Sequence, residues 1–150
     1  MIHVEYPKYN FTISLQAGKE MIFDPIRKKH VRLTPEEWVR QNLLQYLIQI
    51  KQYPAAMMAV EKALLVNGVN RRFDIVVYQN EVPWLLIECK EQDQELNAAV
   101  AQQMIAYKSV LPSVAYLCIS NGNDTLLWEI NESKLLVKDD FPEWPNSTKG

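Results

Sequence analysis

Residues 71–92, RRFDIVVYQNEVPWLLIECKEQ, constrain this chain more than any other stretch. Two apolar runs rich in β-branched and aromatic residues, FDIVVY and PWLLIECK, flank the polar QNEV, as two buried strands around a short connection would. Yet Asp74, Glu88 and Lys90 stand inside them. Side chains alternate along a strand. Asp74, Val76 and Tyr78 then point one way, and Trp84, Leu86, Glu88 and Lys90 share one face of the next strand. With a loop over 79–83, Tyr78 falls opposite Trp84, Val76 opposite Leu86 and Asp74 opposite Glu88. A slip of two residues leaves the carboxylates as diagonal neighbours. Only a one-residue slip separates them, and that turns over the whole strand.

Opposed carboxylates repel each other across a strand pair. A shared proton, a nearby cation or a bound metal would offset the repulsion. Lys90 supplies part of that offset, so the metal-free pair is expected to destabilise the fold. A hard divalent cation is the fuller answer, because Mg²⁺ takes carboxylate oxygens and keeps several waters. An ammonium group beside such water is suited to orient or activate a nucleophile, a layout for metal-assisted attack on phosphate. The bland alternative is that both acids are exposed strand residues and Lys90 pairs with one of them. Three charges within two apolar runs weigh against it.

Around this hairpin, residues 1–33 alternate loosely and read as short strands around turns. TPEEWVRQNLLQYLIQIKQY reads as a helix, with Thr34 as N-cap, Pro35 at the first position and Glu37 completing a capping box. Its apolar stripe is Val39, Leu43, Tyr46, Leu47 and Ile50, and Pro54 ends it. MMAVEKALLV reads as a strand, although it could pass for a short helix. ELNAAVAQQMIAYKSVL reads as a second helix stopped by Pro112; SVAYLCIS and TLLWEI are strands around the turn NGND. DDFPEWPNSTKG, the polar and Pro-rich stretch over 139–150, reads as a loosely held end of a tail that spans 131–150. The order predicts an α/β or α+β domain, a mixed central sheet flanked by helices.

At 150 residues the chain suits one domain. It divides into a β extension over 1–33, a core over 34–130 and the tail. The formal charge of -2 gives no global attraction to nucleic acid, so any such binding needs a local basic patch. Arg27, Lys28, Lys29, His30 and Arg32 form one basic cluster, and Arg71 and Arg72 another. Arg72 shares the face of Asp74. Cys89 and Cys118 each lie in an apolar run and read as reduced, buried thiols. No signal-peptide pattern opens the chain, and no apolar run approaches membrane-spanning length, so a cytoplasmic protein is expected. With four glycines and no Walker sequence or Ser-His-Asp pattern, the chain shows no motor of its own.

Asp74 followed by Glu88-Cys89-Lys90 resembles the D…(D/E)xK signature of the PD-(D/E)xK nuclease superfamily; Phe73 stands where the usual proline would be. IFDPIRKKHVRLTPEEWVRQ, RRFDIVVY, LLIECK and the later Gln-x-x-x-Tyr extend the resemblance, over about 10–130, to the N-terminal nuclease domain of type I restriction enzyme R subunits, and more closely to stand-alone proteins built from that domain. It implies a restriction-endonuclease-like fold and a Mg²⁺- (or Mn²⁺-) dependent DNA endonuclease. Asp74, Glu88 and the backbone carbonyl of Cys89 would hold the metal, and Lys90 would position the water. A glutamate on the first helix often supports the metal in that family. Helical phase favours Glu36, near the apolar stripe, over the capping Glu37. Gln103 and Tyr107, four apart on the second helix, resemble the third motif of RecB-like nucleases. Gln103 would be catalytic, and Gln103, Tyr107, Arg71, Arg72, Lys28 and Lys29 would meet DNA. The resemblance leaves room for a homodimer and for motor or other restriction subunits as partners. The alternative is a non-catalytic module that keeps the fold and binds nucleic acid or protein.

Overall fold

The chain begins with a small antiparallel sheet of β1 (Ile13–Gln16), β2 (Lys19–Asp24) and β3 (Lys29–Arg32). The structure is a computed structural model that describes residues 2–97, 99, 102, 105 and 110–145. Ala17 (φ 52°) and Gly18 (φ 76°) make the tight turn between β1 and β2, where both central residues take the left-handed conformation. At the end of β2 the Asp24 side chain is buried and accepts the backbone N–H groups of Ile26 (2.7 Å) and Arg27 (3.1 Å), closing the turn into β3.

Helix α1 (Pro35–Gln49) starts as its sequence demands. Thr34 Oγ1 accepts the Glu37 N–H at 3.0 Å, and proline occupies the first turn, where its missing N–H costs nothing. Only half of the expected capping box is seen, because the Glu37 carboxylate turns to other partners. The buried stripe contains Val39, Leu43, Tyr46 and Leu47, and also Leu44. Full burial of each leucine contributes about 1.5–3 kcal/mol. Ile50 departs from the expected stripe: it caps the helix and is 53% exposed. The helix stops before Pro54, and Gln52 then takes a left-handed φ of 59°.

The main sheet has six strands in sequential order: β4 (Met58–Val66), β5 (Val69–Gln79), β6 (Val82–Cys89), β7 (Tyr116–Ser120), β8 (Thr125–Asn131) and β9 (Lys134–Lys138). All neighbours are antiparallel except β6 and β7, which run parallel. A parallel pair needs a long crossover, which the segment 90–115 provides. Within it Ala99, Gln102 and Ile105 are helical, and Leu96, Ile105 and Leu111 pack on the sheet. Glu95, Leu96, Asn97, Val110 and Leu111, expected in the second helix, are not helical, and its remaining residues lie outside the described ones. The protein is thus of the mixed α/β class, with a mixed central sheet as the restriction-endonuclease-like expectation requires.

The sheet separates two cores. Ile75, Val77, Leu85, Ile87 and Cys89 join the α1 side, while Phe73, Val76, Leu86, Leu117, Ile119 and Trp128 build the other. The β5–β6 turn is tighter than the expected loop: Asn80 (φ 52°) and Glu81 (φ 67°) alone connect the strands. A register shift between Val77 and Tyr78 pairs Tyr78 with Pro83, not with Trp84. The extra residue places both Trp84 and Leu85 in the α1-side core, so Trp84 does not share the side of Leu86. The loose-tail expectation is corrected too. KLLVK pairs with β8 as β9, Phe141 is buried, and Tyr53 donates its hydroxyl to the Pro142 carbonyl at 2.5 Å. Apolar alternation and an aromatic anchor outweigh the polar composition there.

Candidate active site at the β5–β6 hairpin

Asp74 stands where regular pairing stops. The β5–β6 ladder ends at Ile75 opposite Ile87, and the Cys89 N–H is taken by Asp74 Oδ2 at 2.8 Å. The other oxygen, Oδ1, accepts Arg40 Nη1 of α1, also at 2.8 Å. Asp74 therefore turns toward α1, while Val76 and Tyr78 pack on the opposite core. The simple alternation of these three residues is broken. Glu61, between the β4 residues that pair with Phe73 and Ile75, marks the break with a left-handed φ of 52°.

Glu88 meets Asp74 directly. Burial, then the charge of Asp74 and a hydrogen bond to it, push the Glu88 carboxyl far above the ordinary carboxylate range, against the pull of Lys90. Lys90 is half-buried beside them, its N–H fixed to the Ser120 carbonyl at 2.8 Å. Glu36 is half-buried at the start of α1. Burial and the charge of Asp74 raise its carboxyl, and Arg40 and Lys90 oppose the rise. Asp74, Glu88, Lys90 and Glu36 thus lie within electrostatic reach of one another.

Glu37 does something else. It is buried, and its carboxylate accepts Arg27 Nη2 (2.8 Å), Arg40 Nη2 (2.6 Å), Arg40 Nε (3.0 Å) and Gln41 Nε2 (3.0 Å). Burial alone would raise its carboxyl, and the hydrogen bonds from Arg40, Gln41 and Arg27 more than reverse this, holding it down to about 2. Arg27 Nε also donates to Asp24 Oδ2 at 2.6 Å. An alternating chain of charges, Asp24, Arg27, Glu37, Arg40, Asp74, therefore ties the N-terminal sheet to the hairpin. Sequence reasoning missed Arg40, Gln41 and Asp24, although Glu37 and Arg40 have helical i,i+3 spacing. Arg27 is also corrected: its side chain is 14% exposed and belongs to this chain of pairs, not to a solvated basic patch.

Lys28, Lys29, Arg71 and Arg72 are exposed. Gln103 and Tyr107 lie outside the described residues. Cys89 and Cys118 are free and buried. Among the described residues no three His, Cys, Asp or Glu side chains converge as a metal-binding group. The donor set nevertheless fits Mg²⁺, which is commonly held by one or two carboxylates and otherwise keeps its water. A carboxyl pushed up by burial and by its partner's charge marks a place short of positive charge.

The family comparison bears on this same stretch. The family described as type I restriction enzyme R protein N terminus matches residues 35–142. The chain belongs to this family. The R-protein N-terminal match spans Glu36, Glu37, Arg40, Asp74, Glu88 and Lys90, and leaves out Asp24 and Arg27. No curated protein matches the chain. Among the described residues no helix is long and apolar enough to cross a membrane.

Proposed function

We propose that this R-protein N-terminal domain is a Mg²⁺-dependent endonuclease that hydrolyses phosphodiester bonds of DNA. The observation that carries the reading is the meeting of Asp74 and Glu88 with Lys90 beside them. Asp74, Glu88 and the Cys89 carbonyl would hold the ion, with Glu36 steadying water next to it. Bound there, Mg²⁺ supplies positive charge for the phosphoryl oxygens as water attacks. Arg40 fixes the orientation of Asp74 through Oδ1, and the Cys89 N–H holds its second oxygen. Lys90 donates hydrogen bonds that orient the attacking water or a phosphate oxygen. Gln103 and Arg72 would steady the DNA strand, with Arg71, Tyr107, Lys28 and Lys29 as further contacts. This reading places the chain in the cytoplasm. A homodimer and motor-bearing restriction subunits are the assemblies to look for.

The test is nicking of supercoiled plasmid in Mg²⁺ or Mn²⁺ against EDTA, with the wild type and Lys90→Ala. The expected result is metal-dependent cleavage that falls by about 100-fold or more in the variant, the scale for losing a positioned proton-transfer group. If the wild type neither cleaves nor binds Mn²⁺ in a calorimetric titration, the domain is a binding module on a nuclease fold.

A further inference from the structure

β4 and β5 run on together past the rest of the sheet. β5 pairs with β6 only as far as Ile75, whereas its ladder with β4 continues from Phe73 opposite Lys62 to Val69 opposite Val66. β4 is an edge strand, so this stretch is a two-stranded ribbon, closed by Asn67 (φ 51°) and Gly68 (φ 76°). Four rises of about 3.4 Å give it a reach of roughly 14 Å. One face is partly covered: Phe73 and Val66 are buried and Leu64 leans on the second core, while Lys62, Arg71 and Val69 on the same face stay exposed. On the other face Ala63, Leu65, Asn70 and Arg72 are all exposed, Leu65 at 65%. Arg72 and Asp74 flank Phe73, so this open face leads straight to the candidate active site.

Its chemistry is one-sided. Residues 62–72, KALLVNGVNRR, carry three cations and no acid, in a chain whose net charge is -2. Glu61, at the root, turns its carboxylate to Arg27 (3.5 Å) and Arg40 (3.8 Å). Lys62, Arg71 and Arg72 make no ion pair among the described residues. Free cations suit phosphates, an exposed amide and guanidinium suit base edges, and an exposed leucine suits thymine methyl groups. Dimensions choose between the grooves. The major groove, about 12 Å wide and about 8.5 Å deep, admits a two-stranded ribbon as it stands, whereas the minor groove, about 6 Å wide, takes one only when the duplex is deformed.

We propose that the β4–β5 ribbon enters the major groove of duplex DNA. Arg72, Asn70 and Leu65 face the bases, and Lys62 and Arg71 lie along the phosphates. This rests on duplex DNA being the substrate of the Asp74–Glu88 site, and adds that the duplex is gripped through its major groove within one ribbon length of that site.

The experiment is fluorescence anisotropy of the full chain in EDTA, with a labelled 24-base-pair duplex and a single strand of equal length. Methyl green, which occupies the major groove, and netropsin, which occupies the minor groove, serve as competitors. The expected result is tighter binding of duplex than of single strand, competition by methyl green and not by netropsin, a log–log salt slope smaller by about one in Arg71→Gln, and duplex binding weakened about tenfold or more in Arg72→Gln. Leu65→Ser, on the open face, weakens duplex binding several-fold, and Lys134→Gln on the far edge leaves it unchanged. Circular dichroism and melting confirm that each variant folds. Preference for single strands, competition by netropsin, or wild-type binding by Arg72→Gln and Leu65→Ser overturns the ribbon, and absence of duplex binding overturns it as well. Plasmid cleavage is scored separately. Duplex binding through the ribbon without metal-dependent cleavage sinks the nuclease and keeps the ribbon; cleavage untouched by the ribbon variants does the reverse.

Discussion

Glu37→Gln is the sharpest test of how this site is held. The substitution keeps the shape of the side chain and removes a charge that sits between two arginines. The carboxylate accepts hydrogen bonds from Arg27, Arg40 and Gln41, and glutamine must turn an NH₂ group toward some of these donors. Removing one partner of a buried ion pair costs about 3–5 kcal/mol. An independent route gives a similar magnitude. A carboxyl held down to about 2 against an ordinary 4.5 stabilises the folded state by about 3 kcal/mol at neutral pH. Because the folded value is depressed, this stabilisation is full above the ordinary carboxylate range and is lost as pH falls toward about 2. The gap between wild type and Glu37→Gln is therefore widest near pH 7, and about 2 kcal/mol of it is gone by pH 3. For a chain of this size about 3 kcal/mol corresponds to roughly 6–12 °C of melting temperature. Urea unfolding at a series of pH values, in EDTA, measures the gap directly. A difference below about 1 kcal/mol at pH 7, or an equal gap at pH 7 and pH 3, refutes the reasoning.

Other substitutions probe the neighbours. The Glu88 carboxyl is raised in the folded state, so metal-free stability falls as pH climbs out of the ordinary carboxylate range through the raised value. Glu88→Gln should flatten that slope in melting curves taken in EDTA, and a persisting slope would trace it to another group. Asp74→Asn keeps an acceptor for the Cys89 N–H but strips Arg40 of a charged partner, so it should destabilise the metal-free protein by about 1–3 kcal/mol in urea unfolding. It should also abolish the melting shift that Mn²⁺ produces; an unchanged shift would remove Asp74 from the ligand set. Tyr53→Phe deletes the hydrogen bond to Pro142 at a cost of about 1 kcal/mol, and hydrogen exchange at the Phe141 amide should quicken.

The hairpin was legible because apolar runs and a short polar connection are local signals. They identified β5, β6 and the two carboxylates that meet there. They did not reveal that Asp74 leaves the simple alternation. That depends on a left-handed Glu61 and a backbone N–H captured by a side chain, neither of which composition reports. Opposed carboxylates pointed to a need for positive charge, and Lys90 alone was available along the strand. The stronger partner, Arg40, arrives from α1 across a long sequence separation, and so do the contacts between Arg27 and Glu37. Helical phase ranks Glu36 above Glu37, but it carries no sign that Glu37 is claimed by two arginines. β9 was missed because a short strand between polar turns reads as tail until a neighbour offers it an edge.

The alternating chain of charges also sets where the protein can be cut. The family match begins at residue 35, and a boundary drawn there keeps every carboxylate of the candidate site. It would discard Asp24 and Arg27, however, leaving Glu37 with Arg40 and Gln41 as partners and Arg40 with more of its charge to share. The small N-terminal sheet, which contributes nothing to the main sheet's hydrogen-bond ladder, thus acts as the terminal counter-charge of a line that ends on Asp74. The stretch by which the family is recognised is therefore shorter than the line of charges that holds its site, and a cut at residue 35 also removes the buried Ile2, which bridges Thr125 of the main sheet.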